Sequence, residues 1–478
     1  MRIGDIVFGL TAAEEERARD PRLLLEGFLD AFGFVKQVKD GHEFLILGPK
    51  GSGKSAIASR IELLARQGNT LFASTYQLGQ FPFDRFAEIL PGGEAPLIKF
   101  PSNWELLLHI LLVESLSKDA ACRCEGTPSL AKVTEALKKL GLLPGKDLTQ
   151  LVRHTSSRQL KLSIPQFFEF EAGSEKEQVP DVGFMFRILQ DVCSRARPSG
   201  RHLVFVDGLD DVLTRRGRQY EALASLIVGA DRMNRRLREA GANAKIVVLC
   251  RTDLFDLLPD PNKNKIKQDN AVVLDWYQDT RDYGSTNLVR LVNHRAQLSL
   301  HSSVDVFSQL LPGSVVGGQP TVKTILENTR HTPRDVIQLM NRVRDHSRGA
   351  SANAPAVMSG LRKYSEDYLL PEMRDELCGI MPMADTEKAL QLLSLQGKRQ
   401  FTFDEFRSAQ RNDPRFAQLD PMRTLEYLFE CSAIGNVRGG EDDDDYRFSF
   451  KFRNRSAIFN PNERITVHRG ICKALNLM

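Results

Sequence analysis

The sequence predicts an α/β fold: a parallel sheet covered by helices on both faces, then a helical unit, then three helices and a hairpin. Three observations carry this. Short apolar runs, EFLIL at 43–47, HLVFV at 202–206 and KIVVLC at 245–250, are separated by helical stretches, and strands buried on both faces belong to parallel sheets. A glycine-rich loop, GPKGSGKSA at 48–56, joins the first run to a helix. Past about 280 the apolar runs stop and helical spacing takes over.

In chain order, residues 1–40 read as an N-terminal helical segment, with Asp20-Pro21 as a start signal. EFLIL is the first buried strand. SAIASRIELLARQG is the helix after it, with Ile57, Ile61 and Leu64 on one side, and TLFASTYQL is a second strand. From about 103 to 180 a helical insertion (WELLLHILLVESL, SLAKVTEALKKLGLL) ends in the alternating segment LKLSIPQFFEFEAG and carries no legible motif. The helix VGFMFRILQDVCSRAR precedes the strands HLVFV and KIVVLC, completing a core at 41–280. LVRLVNHRAQL, SVDVFSQLL and PRDVIQLMNRVRDHS form a helical lid at 281–380. At 384–478, EKALQLLSLQ, TFDEFRSAQR and PMRTLEYLFECSA are followed by IGNVR, the acidic tip GGEDDDD and YRFSFKFRN, the outline of a winged-helix domain.

Composition sets bounds on function. A formal charge of +4 over 478 residues does not mark a nucleic-acid binder. No apolar run reaches about 18 residues, so no membrane span is expected. The acidic AAEEE after MRIGDIVFGL is unlike a secretory signal. Seven scattered cysteines fit a reducing cytoplasm, and the Cys122/Cys124 pair lacks a second ligand pair for zinc.

GPKGSGKS matches the phosphate-loop pattern G-x-x-x-x-G-K-[ST] and identifies the sheet as a P-loop NTPase sheet. Glycines let successive backbone N–H groups turn toward phosphate oxygens, and the helix start adds its positive dipole end. ATP is therefore expected to be held by Gly48, Pro49, Lys50, Gly51, Ser52, Gly53, Lys54, Ser55 and Ala56. Lys54 serves the β- and γ-phosphates, and the Ser55 hydroxyl serves Mg2+.

In HLVFVDGLDD, Asp207 closes a buried strand at the edge where parallel sheets bind ligands. A carboxylate there holds the magnesium through water, opposite Ser55. Asp210 and Asp211 follow within one turn, and either is a candidate to polarise the attacking water; capping of the next helix is the alternative role. Arg251 ends KIVVLC as a γ-phosphate sensor or as a partner of Asp253. Arg334, in NTRHTPRDVIQLM, starts a helix after Pro333 and either reaches the phosphates from a folded-over lid or lies on the surface. The arginine-dense TRRGRQ and NRRLRE either supply a finger to a neighbouring subunit or form solvated faces.

The order GPKGSGKS, VFVDGLDD, VVLCRTD, HTPRD and winged helix resembles STAND and AAA+ ATPases, and DGLDD resembles the STAND form of the magnesium-binding strand. FGLTAAEEE, RTDLFDLLPDPNKNKIKQDNAVVLDW and FNPNERITVHRGICKALNL are similar to a little-characterised family of bacterial P-loop ATPases. The resemblance implies a slow, magnesium-dependent ATPase that switches between closed and oligomeric states, cycles between ATP and ADP, and controls a separate effector protein, as in bacterial antiphage defence. It places Lys54, Ser55, Asp207 and Arg251 on the nucleotide, Arg334 as lid sensor and Phe8-Gly9 near the adenine. The chain departs from the pattern in its long spacing between loop and Asp207, and in having no legible effector domain or repeat array.

A DNA-associated ATPase resembling origin-recognition loaders is the alternative. In YRFSFKFRNR, Tyr446, Phe448, Phe450 and Phe452 alternate with Arg447, Ser449, Lys451 and Arg453, giving one aromatic and one basic face. The acidic tip at 441–445 opposes approach to a duplex, so DNA is the less favoured partner. A motor is disfavoured because no pore loop is legible.

Overall fold

The computed structural model describes the chain apart from residues 80, 91–95, 144–146, 158–159, 161–162, 165–180, 209–217, 260–261, 316–317, 440–446 and 478. Contacts divide it into two compact units. The sheet unit comprises Asp30–Pro49 and Gly53–Leu274; the helical-winged unit comprises Met1–Leu29, Lys50–Ser52 and Asp275–Met478.

In the sheet unit, β1 (Leu45–Gly48), β2 (Leu71–Gln77), β3 (Arg201–Asp207), β4 (Ala244–Arg251) and β5 (Ala271–Val273) form a parallel sheet in the order β2-β3-β4-β1-β5. This is a parallel α/β sheet with the phosphate-loop sequence following its strand β1. The apolar runs become strands because their side chains are covered on both faces: Leu45, Ile46, Leu47, Val204, Phe205, Ile246 and Val247 are all fully buried. β5 was not anticipated; its three-residue AVV run is too short to show a period. β1 lies between β4 and β5, so its C-terminal end opens where the chain turns to either side, the place such sheets keep for ligands.

The insertion supplies α2 (Pro96–Ser117), α3 (Leu130–Lys139), α4 (Leu148–Thr155) and α5 (Val182–Arg195) between β2 and β3, while α1 (Lys54–Ala65) follows β1 and α6 (Arg218–Glu239) precedes β4. Capping side chains start α3, α4 and α5: Ser129, Asp147 and Asp181 each accept a backbone N–H. Residues 104–113 of α2 are buried all round, which makes it a central helix rather than a surface one. Trp104 Nε1 donates to the Ala222 carbonyl at 2.7 Å. Gly229 lets α6 close on α2, since a Cβ there would lie 3.0 Å from the Pro101 oxygen. The alternating segment of the insertion lies mostly outside the described residues.

In the helical-winged unit, α7 (Asn287–Leu300), α8 (Pro333–Asp345), α9 (Ala354–Tyr364) and α10 (Leu370–Cys378) make the helical part, with a π-helical turn at Ser365–Leu369 between α9 and α10. The expected N-terminal helical segment is broken into Ala13–Arg19, Arg22–Leu25 and Phe34–Asp40, and it divides between the units after Leu29. Its extended part is held by side chains: Asn341 donates to the Gly9 carbonyl at 2.9 Å, Arg344 to that of Ile6 at 3.0 Å, and Arg295 grips the Glu16 carboxylate with two bonds of 3.1 Å.

The winged module follows expectation in its helices, α11 (Met383–Ser394), α12 (Phe403–Asn412) and α13 (Pro421–Glu430). A reciprocal Thr402–Glu405 capping box starts α12. The expected hairpin is one part of a four-stranded antiparallel sheet of β6 (Gln400–Phe401), β7 (Ile434–Arg438), β8 (Arg447–Ser449) and β9 (Arg464–Val467), ordered β8-β7-β9-β6. β9 was missed; Ile465 and Val467 are fully buried and pair it along β7. The acidic tip lies outside the described residues. Of the described aromatics of this stretch, Phe450 is buried and Phe448 and Phe452 are half-buried.

Candidate phosphate-loop site

β1 ends at Gly48 and α1 begins at Lys54; between them Gly51 and Gly53 adopt φ of 79° and 98°, a region side chains rarely enter. This geometry lets the loop wrap back over the start of α1. Lys54 is buried, and its ammonium donates to the carbonyls of Gly48 and Pro49 at 3.1 Å each. The Ser55 hydroxyl donates to Asp207 Oδ2 at 2.6 Å, across 152 residues of sequence. Asp207 Oδ1 in turn accepts the Gly208 N–H at 2.7 Å, which orients the carboxylate. The sequence-predicted pair of Ser55 and Asp207 is thus brought together.

β4 pairs with β1 so that Arg251 lies opposite Gly48. Its guanidinium makes a fork to Asp253, with bonds of 3.0 and 2.6 Å. Of the two roles expected for Arg251, this geometry is that of the ion pair. Desolvation works to raise the Asp253 pKa, but the Arg251 and Lys54 charges outweigh it and hold the carboxyl below its ordinary range. Asp210 and Asp211 lie outside the described residues, as does most of TRRGRQ.

The tip of the loop, Lys50–Ser52, groups with the helical-winged unit. Lys50 Nζ pairs with Glu372 at 2.8 Å, Trp276 Nε1 donates to the Ser52 carbonyl at 2.8 Å, and the Arg334 N–H donates to the Gly51 carbonyl at 3.3 Å. A Cβ on Gly51 would lie 3.0 Å from Arg334 Cβ and 3.2 Å from Thr332 Oγ1. The sequence reading has Arg334 meeting the phosphates as a charged fork; what the structure brings to the loop is its backbone N–H. Thr332 caps α8, and Asp335 anchors the turn before it, taking Arg330 through its backbone N–H at 3.0 Å and its guanidinium at 3.1 Å, and Tyr368 at 3.0 Å. Glu376 completes the Arg330 cage at 2.8 Å. Burial opposes this charge, yet Asp335 and Glu376 raise the Arg330 pKa well above the ordinary value. Phe8 is fully buried, and Gly9 is tied to α8 through Asn341.

Trp276 and Glu372 are the contacts sequence reasoning missed. Trp276 stood only inside a family-like stretch, and Glu372 has no motif around it and lies far along the chain from Lys50.

The residues fit a triphosphate and its magnesium. Ser52, within the loop, is fully buried, and its hydroxyl has no hydrogen-bond partner, a polar group left for a ligand to satisfy. Ser55 and Asp207 offer the hard oxygens that magnesium prefers.

Residues 286–370 match the family model of a FunZ-associated C-terminal helical domain. This is the helical part, from the start of α7 to the start of α10. No curated protein matches the chain. Among solved structures, the Aeropyrum pernix Orc1 protein in complex with DNA is 14% identical, with 98% of this chain and 92% of that chain covered and a TM-score of 0.38. Cdc6p from Pyrobaculum aerophilum is 12% identical, with 98% and 95% covered and a TM-score of 0.32. Scores this low transfer no role.

Proposed function

We propose that the chain is a magnesium-dependent P-loop ATPase of AAA+ type that uses ATP as a conformational switch and hands the change to a partner. Lys54 and the loop amides of residues 48–56 hold the phosphates, Ser55 and Asp207 hold the magnesium, and Asp210 or Asp211 orients the attacking water. Magnesium, when bound, neutralises phosphate charge. Arg251, released from Asp253, and Arg334 read the γ-phosphate.

The observation that carries the switch reading is the grouping of Lys50–Ser52 with the helical-winged unit. A polyphosphate entering the loop competes with Glu372 for Lys50 and reorients the carbonyls held by Trp276 and Arg334. Nucleotide binding is thereby felt directly by α8 and α10. Homo-oligomerisation and control of a protein effector are the outputs this reading expects. Antiphage defence has no residue of the structure behind it.

The second reading, a DNA-associated ATPase of origin-recognition type, draws on the wing. There Arg438 and Arg447 face one another across β7 and β8, with Arg464 on β9. Against it, the exposed face of α13 carries Arg423, Glu426 and Glu430, the last paired with Lys451 at 2.9 Å, so this face offers phosphates no surplus of positive charge.

Lys54→Ala tests the shared core. Losing a charge-assisted bond of about 1.5–3 kcal/mol weakens ATP binding roughly 10- to 100-fold by equilibrium titration. Unchanged affinity would overturn the site. Salt-sensitive binding to duplex DNA by mobility shift selects the second reading, and ATP-dependent assembly by light scattering without DNA selects the first.

A further inference from the structure

Within the sheet unit, β4 lies beside β1 in register, and its last residue, Arg251, stands opposite Gly48, where the phosphate loop opens. The chain becomes helical at once, over Thr252–Leu257, so Asp253 falls in the first turn beyond the strand end. Both carboxylate oxygens of Asp253 meet one guanidinium: Arg251 Nε donates to Oδ1 at 3.0 Å and Nη2 to Oδ2 at 2.6 Å. The Arg251 side chain is 12% exposed and that of Asp253 is 55% exposed. The guanidinium is thus set into the sheet edge, and the carboxylate is the member of the pair that solvent reaches.

Lys54 belongs to the same neighbourhood. Its ammonium is held by the carbonyls of Gly48 and Pro49 at 3.1 Å each. Desolvation works against an ionised Asp253, but the Arg251 charge and hydrogen bond, and then the Lys54 charge, keep the carboxyl below its ordinary range. One carboxylate therefore sits in the field of two cations assigned above to the phosphates. A guanidinium fork grips two phosphoryl oxygens by the geometry with which it grips two carboxylate oxygens. It cannot serve both anions through the same edge, and two anions at that distance repel each other.

The geometry points to Asp253 as a specificity residue of the phosphate loop, an internal stand-in for the γ-phosphate that biases the site toward ADP. The inference rests on the proposed ATPase reading and names how that site tells its two nucleotides apart. ADP ends at the β-phosphate and leaves the Arg251–Asp253 fork closed. ATP brings a γ-phosphate that takes Arg251 from Asp253 and then lies near a carboxylate that has lost its guanidinium. A pair with one half-exposed member is broken at small cost, so the bias is modest and reversible.

The test is equilibrium titration of the full chain, with Mg2+ present, against ADP and against a non-hydrolysable ATP analogue, in wild type, Asp253→Asn, Arg251→Gln and Lys54→Ala. Asp253→Asn keeps the shape and removes the charge, and it should raise analogue affinity relative to ADP roughly fivefold or more. Arg251→Gln should move the same ratio the other way by weakening the analogue. If Asp253→Asn lowers the ratio as Arg251→Gln does, the aspartate positions the arginine for the γ-phosphate and the proposal is overturned. An unchanged ratio, with only the melting temperature lowered, marks a structural aspartate and overturns it as well. Asp253→Ser removes the carboxylate by a second substitution, and it must shift the ratio in the same direction as Asp253→Asn. Lys54→Ala keeps the two failures apart. Both nucleotides binding it as tightly as wild type defeats the ATPase reading itself, whereas weakened binding there beside an unchanged ratio in Asp253→Asn rejects the stand-in alone.

Discussion

At the scale of single residues, the buried histidines make stability depend on pH in a definite direction. His109, His331 and His468 are all buried. Burial lowers their pKa values to about 4, about 3 and about 3, aided at His331 by Arg453 and at His468 by Arg330. In the unfolded chain each titrates near its ordinary value of 6.5. Between that value and the folded one, the unfolded chain binds protons that the folded chain refuses. Stability is therefore complete above about pH 6.5 and is lost as pH falls toward 4, by on the order of 1.4 kcal/mol per pH unit for each histidine. His331→Asn isolates one contribution. His331 sits at φ 52°, a left-handed conformation that asparagine tolerates, so the variant removes the titration without adding backbone strain. Urea unfolding at pH 7.5 and 5 should show a smaller pH loss in His331→Asn than in wild type, and equal losses would refute the assignment. Asp335 is a second residue-scale case. It is fully buried against Arg330 and Tyr368, so Asp335→Ala leaves the buried Arg330 guanidinium with Glu376 as its remaining carboxylate and should cost about 3 kcal/mol of stability, read from the same unfolding curves.

At the scale of elements, the start of α8 and the phosphate loop are fitted backbone to backbone. Gly51→Ala would strain a φ of 79° and drive a Cβ to 3.0 Å from Arg334. Gly33→Ala is the control, because Gly33 has φ 68° but nothing within 4 Å. Strain alone is worth roughly 1–2 kcal/mol. Gly33→Ala should show that loss in melting temperature with ATP affinity intact, whereas Gly51→Ala should lose ATP affinity too. Equal ATP affinity in the two variants would deny the fitted contact. This contact also marks what could be read in advance. The loop, Lys54, Ser55 and Asp207 were legible because each sits at the end of an apolar run, where local pattern fixes position. The four core strands beginning at Leu45, Leu71, Arg201 and Ala244 were legible for the same reason. β5 and β9 were not: three or four residues are too few to show a period, and their burial is decided by neighbours far along the chain. Trp276 and Glu372 escaped because a single hydrogen bond to a loop carbonyl, or a single ion pair, leaves no trace in spacing. The Arg251–Asp253 fork was visible as an alternative only because the two residues are adjacent but one. The acids at 210–211 belong to a stretch outside the described residues.

At the scale of the whole molecule, one short segment belongs to one unit while the chain on both sides of it belongs to the other. Lys50–Ser52 leave β1 at Pro49, pack with α8, α10 and Trp276, and return at Gly53 to begin α1. A change at Lys50–Ser52 is therefore a change within the helical-winged unit. Glu372 holds the ammonium of Lys50 in a half-buried pair, where attraction is stronger than at an open surface. A polyphosphate offers Lys50 several negative charges in place of one. Replacing that pair should loosen α8 and α10 relative to their own resting state, because Lys50 makes one of the two ties between the tip and these helices, the other being Gly51 to Arg334. Hydrogen exchange measures this directly. On adding Mg2+ and ATP, amides 50–52 should slow while the first turn of α8 and residues 370–376 of α10 change protection with them, at the same nucleotide concentration. Glu372→Gln, which keeps shape but not charge, should shift α10 toward its ATP-bound exchange rate in the absence of nucleotide, and leave the winged strands β7 and β9 unaltered. If the loop slows on binding while α8 and α10 exchange as before, the tip moves alone and ATP does not act through this contact.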